Sequence, residues 1–224
     1  RVILRSKGKK LKEWVFIHCV GSRDKTVDNE YCSRVCCMFT AKQAHLLRDK
    51  IPDARITVLY MDVRAFGKGF EEFYERVQKE EIIYRRGNPS EVFRKNGKLV
   101  VRGEDTLLGE PFELDADLVV LASGLVPRKE ENILKNMLGL ENSSDKFYAE
   151  APGLDPIMTK VEGIFLEGCC QGPKDIPDTV AQASGAASLA CALLAKGRKP
   201  EVRSPEFGVN KITNHESRVA NHEK

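Results

Sequence analysis

The sequence predicts an α/β protein: a Rossmann-like half built on a parallel sheet, with an antiparallel β-meander added to it. Three observations predict this. Residues 13–18 (Glu-Trp-Val-Phe-Ile-His) are mostly apolar, as a strand buried on both faces would be. Strand and helix patterns then alternate as far as residue 80, which implies a parallel sheet with crossover helices. Between residues 82 and 114 the rhythm shortens into strands punctuated by Gly87-Asn88-Pro89, Asn96-Gly97 and Leu108-Gly109-Glu110.

Taken in order, residues 1–18 read as a hairpin, with Val2-Ile3-Leu4-Arg5 turning around Gly8 into the apolar run. A polar loop follows at 24–30. The spacing then predicts a helix from Cys36 to Lys50, with Phe39, Ala44 and Leu47 among its apolar positions and Pro52 just past its end. A strand at 55–61 and a helix at 69–80 complete a βαβα unit. Asn96-Gly97, between Val92-Phe93 and Leu99-Val100-Val101, is a hairpin turn. A buried strand returns at 117–122. Composition shifts after Pro127: residues 128–160 predict a helix and a long polar connection, 163–168 a short strand, 179–196 an Ala-rich helix, and 201–224 a polar tail.

The 224 residues are 42% hydrophobic and 31% charged, ordinary for a globular protein, and a net charge of +3 gives no argument for a nucleic-acid partner. No apolar run has the length of a membrane span, and Arg1-Val2-Ile3-Leu4-Arg5 has no signal-peptide character. The seven cysteines are odd in number and clustered, which fits a reducing, cytoplasmic setting and metal binding better than a disulfide framework.

Cys19, Cys32, Cys36 and Cys37 are spaced C-x12-C-x3-C-C. Four thiolates are what a 4Fe–4S cluster needs. Cys19 arrives from a strand end, where ligand sites of α/β sheets lie. Cys36 and Cys37 fall at a helix start, whose unpaired N–H groups suit an anionic cofactor. Cys32 and Cys36 are four apart and would share a face in a helical turn. Arg23 and Arg34 flank them and would balance charge. Zinc, which prefers paired C-x2-4-C knuckles, and buried inert or redox-active thiols are the alternatives left open by spacing; a disulfide between Cys36 and Cys37 would be strained. Where a nucleotide-binding unit has G-x-G-x-x-G, this chain has His18-Cys19-Val20-Gly21-Ser22-Arg23. Asp62 then reads as a turn residue. The inference is a half-domain whose nucleotide loop has been replaced by cluster ligands.

A second candidate site lies further on. Ala122, Ser123 and Gly124 end a strand in small residues that would let backbone approach a cofactor, or simply turn. Gly168 and Cys169 lead to a helix opening at Thr179, Val180, Ala181 and Gln182, whose N-terminus suits the partial negative charge of a reduced flavin. Cys170 forms an adjacent pair with Cys169 that has no ligand spacing; Cys191 reads as core. His18, His45, His215 and His222 add no site, and no Gly-x-Ser-x-Gly elbow supports hydrolysis. The Lys7-Lys9-Lys10-Lys12 run reads as a solvated turn.

The stretches Cys19-Val20-Gly21-Ser22-Arg23-Asp24, Tyr31-Cys32-Ser33-Arg34-Val35-Cys36-Cys37-Met38 and Lys42-Gln43-Ala44 closely resemble the A-type subunits of heterodisulfide reductase. So do the segments 118–127 and 163–183, and the resemblance spans about residues 11–200. It implies a thioredoxin-reductase-like FAD/NAD(P)-binding fold. Residues 1–127 would be a remodelled pyridine-nucleotide-type domain carrying the cluster, 128–200 the C-terminal part of an FAD-binding domain, and 201–224 a tail. It implies FAD and a 4Fe–4S cluster held by Cys19, Cys32, Cys36 and Cys37, the cluster relaying electrons beside a flavin that splits electron pairs between a ferredoxin branch and a disulfide. The 179–182 helix start would face the flavin ring, and Gly168 with Cys169 its ribityl or pyrophosphate. Partners would be other redox subunits, heterodisulfide-reductase-type or ferredoxin-like; a homodimer is compatible with this. The family's N-terminal glycine-rich FAD motif and C-x2-C-x2-C-x3-C clusters do not occur here, so the sequence corresponds to a central to C-terminal part, inactive in isolation. The competing expectations are a zinc-stabilised interaction module and a flavin-dependent thiol–disulfide reductase using Cys169 and Cys170.

Overall fold

A four-stranded parallel sheet, ordered β3-β2-β1-β7, carries the molecule. The computed structural model describes residues 11–153 and 155–196, so the first strand of the expected hairpin and the 201–224 tail lie outside the described residues. The elements are β1 (Glu13–Val20), α1 (Cys36–Lys50), β2 (Arg55–Tyr60), α2 (Phe70–Gln78), β3 (Ile83–Arg86), β4 (Pro89–Lys95), β5 (Lys98–Asp105), β6 (Glu110–Ala116), β7 (Leu118–Ser123), α3 (Glu131–Leu138) and α4 (Ile176–Lys196).

Side chains of β1 alternate between two cores, as strand geometry requires. Trp14 and Phe16 face α1 and α2, packing with Ala41, Ala44, Ile56, Val58 and Val77. Val15 and Ile17 face the β4-β5-β6 meander, packing with Leu59, Val101, Phe112 and Ala116. The result is three layers, helices on one face and the antiparallel sheet on the other, with β1 buried on both. Asn96-Gly97 turns the β4–β5 hairpin in the expected register, Phe93 opposite Val100 and Lys95 opposite Lys98.

Five expectations need correction. Residues 83–86 do not belong to the meander: β3 pairs in parallel with β2. Residues 163–168 form no strand, only a bridge from Met158 to Phe165. That segment has no neighbouring strand to share a ladder with, and its outer glycines bend it. Phe39 is half exposed rather than core, while Ala44 and Leu47 are buried. Cys191, expected in the core, is exposed on α4. Helix α4 also starts three residues earlier than its apolar pattern suggests. Pro177 is accommodated in the first turn, and Asp175 Oδ1 accepts the Asp178 N–H at 2.9 Å.

Strand order reverses around β1, between β2 on one side and β7 on the other. Ligands of open α/β sheets bind outside the carboxyl ends of strands at such a reversal. Cys19 stands at that end of β1.

Candidate functional site

The cysteine site is built by backbone before side chains. Cys19 takes a left-handed conformation (φ +58°), which breaks the strand alternation, and Gly21 (+76°), Arg23 (+55°) and Arg34 (+61°) repeat that conformation through the following loop. Left-handed residues among right-handed or turn residues point successive N–H groups into a shared concavity suited to anions, iron–sulfur groups among them. Helix α1 begins at Cys36 with no side-chain cap from Val35, so side chains leave its first-turn amides uncapped.

Three thiols meet here. Cys19 from the end of β1 and Cys36 and Cys37 from the start of α1 form one buried cluster, closed by Met61, Val63 and Ala122. Cys36 packs with both Cys19 and Cys37, and the Cys37 thiol donates to the Asp62 carbonyl at 3.8 Å. The two neighbouring thiols hold Cys36 well below the usual range, while the nearness of Cys36, together with burial, pushes Cys19 and Cys37 up. Cys32 is not on the helix as its spacing suggested. It sits half-buried on the preceding loop, its Sγ accepting the Arg34 N–H at 3.3 Å. The Arg64 N–H donates to Cys37 Sγ at 3.5 Å. All four are free thiols.

Among the described residues no three His, Cys, Asp or Glu side chains already enclose a single metal ion. What the fold provides is a shell of soft sulfur donors, three in contact and one at the rim. Polar groups around it lack partners. His18 is 1% exposed with neither ring nitrogen hydrogen-bonded, and Ser22 Oγ is buried and unpartnered. Burial pushes the His18 pKa down, and the neighbouring Cys36 charge opposes that. A buried donor without an acceptor costs free energy. An anionic, sulfur-rich group would supply the missing acceptors, so the donor set and its surroundings fit an iron–sulfur cluster.

Charge around the site is arranged by Arg23, which lies close enough to Cys19 and Cys32 to feel their charge. Asp62 holds Arg23 at 2.5 Å and Arg64 at 3.3 Å. Asp62 therefore ties the cysteine loop to the end of β2 and is more than a turn residue.

The small residues after β7 serve this loop. A side chain on Gly124 would meet Ser22 Cβ and Ser33 Oγ at 2.9 Å, and Ala122 packs on the cysteines. Ser33 Oγ accepts the Leu125 N–H (3.0 Å), and the Tyr31 hydroxyl donates to the Leu125 carbonyl (2.9 Å). Ser123 is exposed. Close backbone approach does occur at Gly124, and it is the cysteine loop that approaches.

The second set of residues is brought together in part. Gly168 (φ +61°) leaves room for Thr179, whose Cγ2 lies 3.0 Å from where a Gly168 Cβ would be. The Gly168 N–H donates to Gln182 Oε1 at 2.8 Å, and Gln182 Nε2 donates to Gln171 Oε1 at 2.6 Å. Gln182 is thus committed to the protein, whereas Val180 and Ala181 are exposed at the helix start. Cys169 and Cys170 are exposed and line a cavity of about 540 Å³ with Val126, Arg128, Phe147 and Tyr148.

Sequence patterns gave no role to His18, Ser22 or Ser33, and read Asp62 as a turn residue. His18 alone carried a signal, as a polar residue ending an apolar buried run; the others depend on which loops meet.

No protein-family model matches the chain. It is 53% identical over 200 residues to the A-type subunit of the H(2):CoB-CoM heterodisulfide,ferredoxin reductase of Methanothermobacter thermautotrophicus, covering 88% of this chain and 30% of that protein. It is 51% identical over 201 residues to an iron-sulfur A-type subunit of the CoB–CoM heterodisulfide reductase of Methanopyrus kandleri, covering 88% and 31%. Its fold is similar to that of Lactococcus lactis thioredoxin reductase, with a TM-score of 0.56 at 19% identity over 84% of this chain and 54% of that one. The chain thus spans about 30% of the length of the curated relatives it matches, and over that span it is closely similar in sequence to A-type subunits of heterodisulfide reductases.

Proposed function

We propose that this chain is the electron-transfer segment of an oxidoreductase subunit, in which Cys19, Cys32, Cys36 and Cys37 hold a 4Fe–4S cluster beside a flavin. The carrying observation is the convergence of Cys19, Cys36 and Cys37 from two separate elements onto one buried point at the carboxyl end of the sheet. Such a cluster supplies one-electron exchange at a potential set by hydrogen bonds and nearby charge. The protein's part is to donate the Arg34 and Arg64 N–H groups to sulfur and to place Arg23 alongside. Met61, Val63 and Ala122 exclude water from the inner three sulfurs.

For FAD, the exposed Val180 and Ala181 at the start of α4 offer a face for the flavin ring, with the Gly168–Thr179–Gln182 knot holding the strand-to-helix loop in shape. The rest of a flavin site would come from the remainder of the protein, as the 54% coverage of a thioredoxin reductase chain suggests. Partner redox subunits follow from the relatives' names as components of heterodisulfide and ferredoxin reductases. No described helix is long and apolar enough to cross a membrane.

Anaerobic purification tests this. The full chain should be brown, with broad visible absorbance bleached by dithionite, and single Cys→Ser changes at positions 19, 36 and 37 should remove the colour. Colourless protein carrying one zinc per chain would replace this reading with a zinc-stabilised module.

A further inference from the structure

Arg34 touches both candidate sites. Its N–H donates to Cys32 Sγ at 3.3 Å. Its guanidinium Nη2 lies 3.1 Å from Asp178 Oδ2 in the first turn of α4, directly before Thr179, Val180 and Ala181. Its Cζ sits 5.2 Å from the centroid of the Phe66 ring, which fixes the side chain from the β2–α2 loop. The backbone adopts a left-handed conformation that a non-glycine residue takes at some cost, so the loop is held in a form that aims both the amide and the side chain.

Exposed ion pairs of this kind contribute little to stability. Arg34 and Asp178 are 43% and 52% exposed, so their contact does not account for folding. We propose that Arg34 is a positioning residue: it clasps the Cys32 rim of the cysteine loop to the first turn of α4, and sets a positive charge between the proposed cluster ligands and the start of that helix. The inference rests on the cluster reading given above. In this arrangement Arg34 joins the cysteine loop to the first turn of α4 beside the Tyr31–Phe147 and Lys146–Asp28 contacts, and its charge favours the reduced, more negative cluster.

The test uses the full chain with Arg34→Gln, Arg34→Lys and Asp178→Asn, singly, and with Arg34→Gln and Asp178→Asn combined. Two readouts are taken: the cluster midpoint potential by redox titration followed by electron paramagnetic resonance, and amide hydrogen exchange of residues 174–182 in the metal-free chain. Arg34→Gln is expected to lower the potential and speed exchange. Asp178→Asn should speed exchange equally, and the double variant no further. Arg34→Lys should restore the potential in part, because an ammonium carries the same charge. Unchanged exchange in Arg34→Gln, or a potential equal to wild type, overturns the clasp. If the wild-type chain takes up no iron, the cluster reading fails, and the exchange experiment still decides whether the clasp exists.

Discussion

Gly124 shows how tightly single residues are specified around the cysteines. With Ser22 Cβ and Ser33 Oγ both 2.9 Å from the place a methyl group would take, and the Gly21 carbonyl at 3.2 Å, a side chain there displaces the loop that carries Cys19. Overpacking of this kind costs about 1–3 kcal/mol. Gly124→Ala is therefore expected to lower the chemical-denaturation midpoint and also the iron retained after anaerobic purification; equal midpoints would show that the loop yields freely. The cysteines divide sharply at this scale. Cys191 is exposed on α4, far in sequence from the quartet, and Cys191→Ser should leave iron content unchanged, whereas Cys36→Ser, at the hub of the sulfur contacts, should abolish it. The grouping of Cys19, Cys36 and Cys37 could be expected from the sequence because their spacing is local. The polar residues that serve it could not: Asp62 meets Arg23 across 39 positions and Ser33 meets Leu125 across 92, and no pattern within a segment encodes such pairs.

At the scale of elements, α1 and the β4–β5 hairpin were readable because their signals are local: a cysteine-to-lysine stretch closed by Pro52, and an Asn-Gly turn between two apolar runs. β3 and residues 163–168 were misread for the opposite reason. Whether a short segment becomes a strand depends on the neighbour it pairs with, and β3 finds β2 while 163–168 finds none. The contact between α2 and the sheet edge supplies a stability prediction. Tyr84 of β3 stacks edge-on with Tyr74 of α2 at 5.2 Å, and its hydroxyl is buried without a partner. Tyr84→Phe is expected to raise stability by about 1 kcal/mol, since it removes an unsatisfied polar group. Burial pushes Tyr74 up to about 12 and Tyr84 further up in the same direction. Unfolded tyrosines ionise near about pH 10. The native state therefore binds more protons above that pH, and stability that is complete below it is lost as pH rises towards the native values. Urea midpoints measured from pH 8 upwards should fall less steeply in Tyr84→Phe; parallel slopes would remove Tyr84 from the account.

The described residues form a parallel sheet sandwiched between helices and a meander, with the buried thiols of Cys19, Cys36 and Cys37 placed where the strand order reverses. The α/β class and the meander could be read from the order of apolar runs and turns. The way the 128–196 region sits could not, because it is fixed by scattered contacts: Tyr31 against Phe147, Lys146 to Asp28, and Arg34 to Asp178. Helix α4 has Ala186 as its one buried residue among those described, and exposes Ile176, Val180 and Leu194. A helix this apolar is ordinarily covered, in keeping with a chain that spans 30% of its relatives. The central claim, that the thiols of Cys19, Cys32, Cys36 and Cys37 together hold an iron–sulfur cluster, is tested most directly by counting iron, acid-labile sulfide and zinc in anaerobically purified chain. The account predicts about four iron and about four sulfide per chain, the content of one 4Fe–4S cluster, and their loss in Cys36→Ser. A single zinc, or iron that persists in Cys36→Ser, would contradict it.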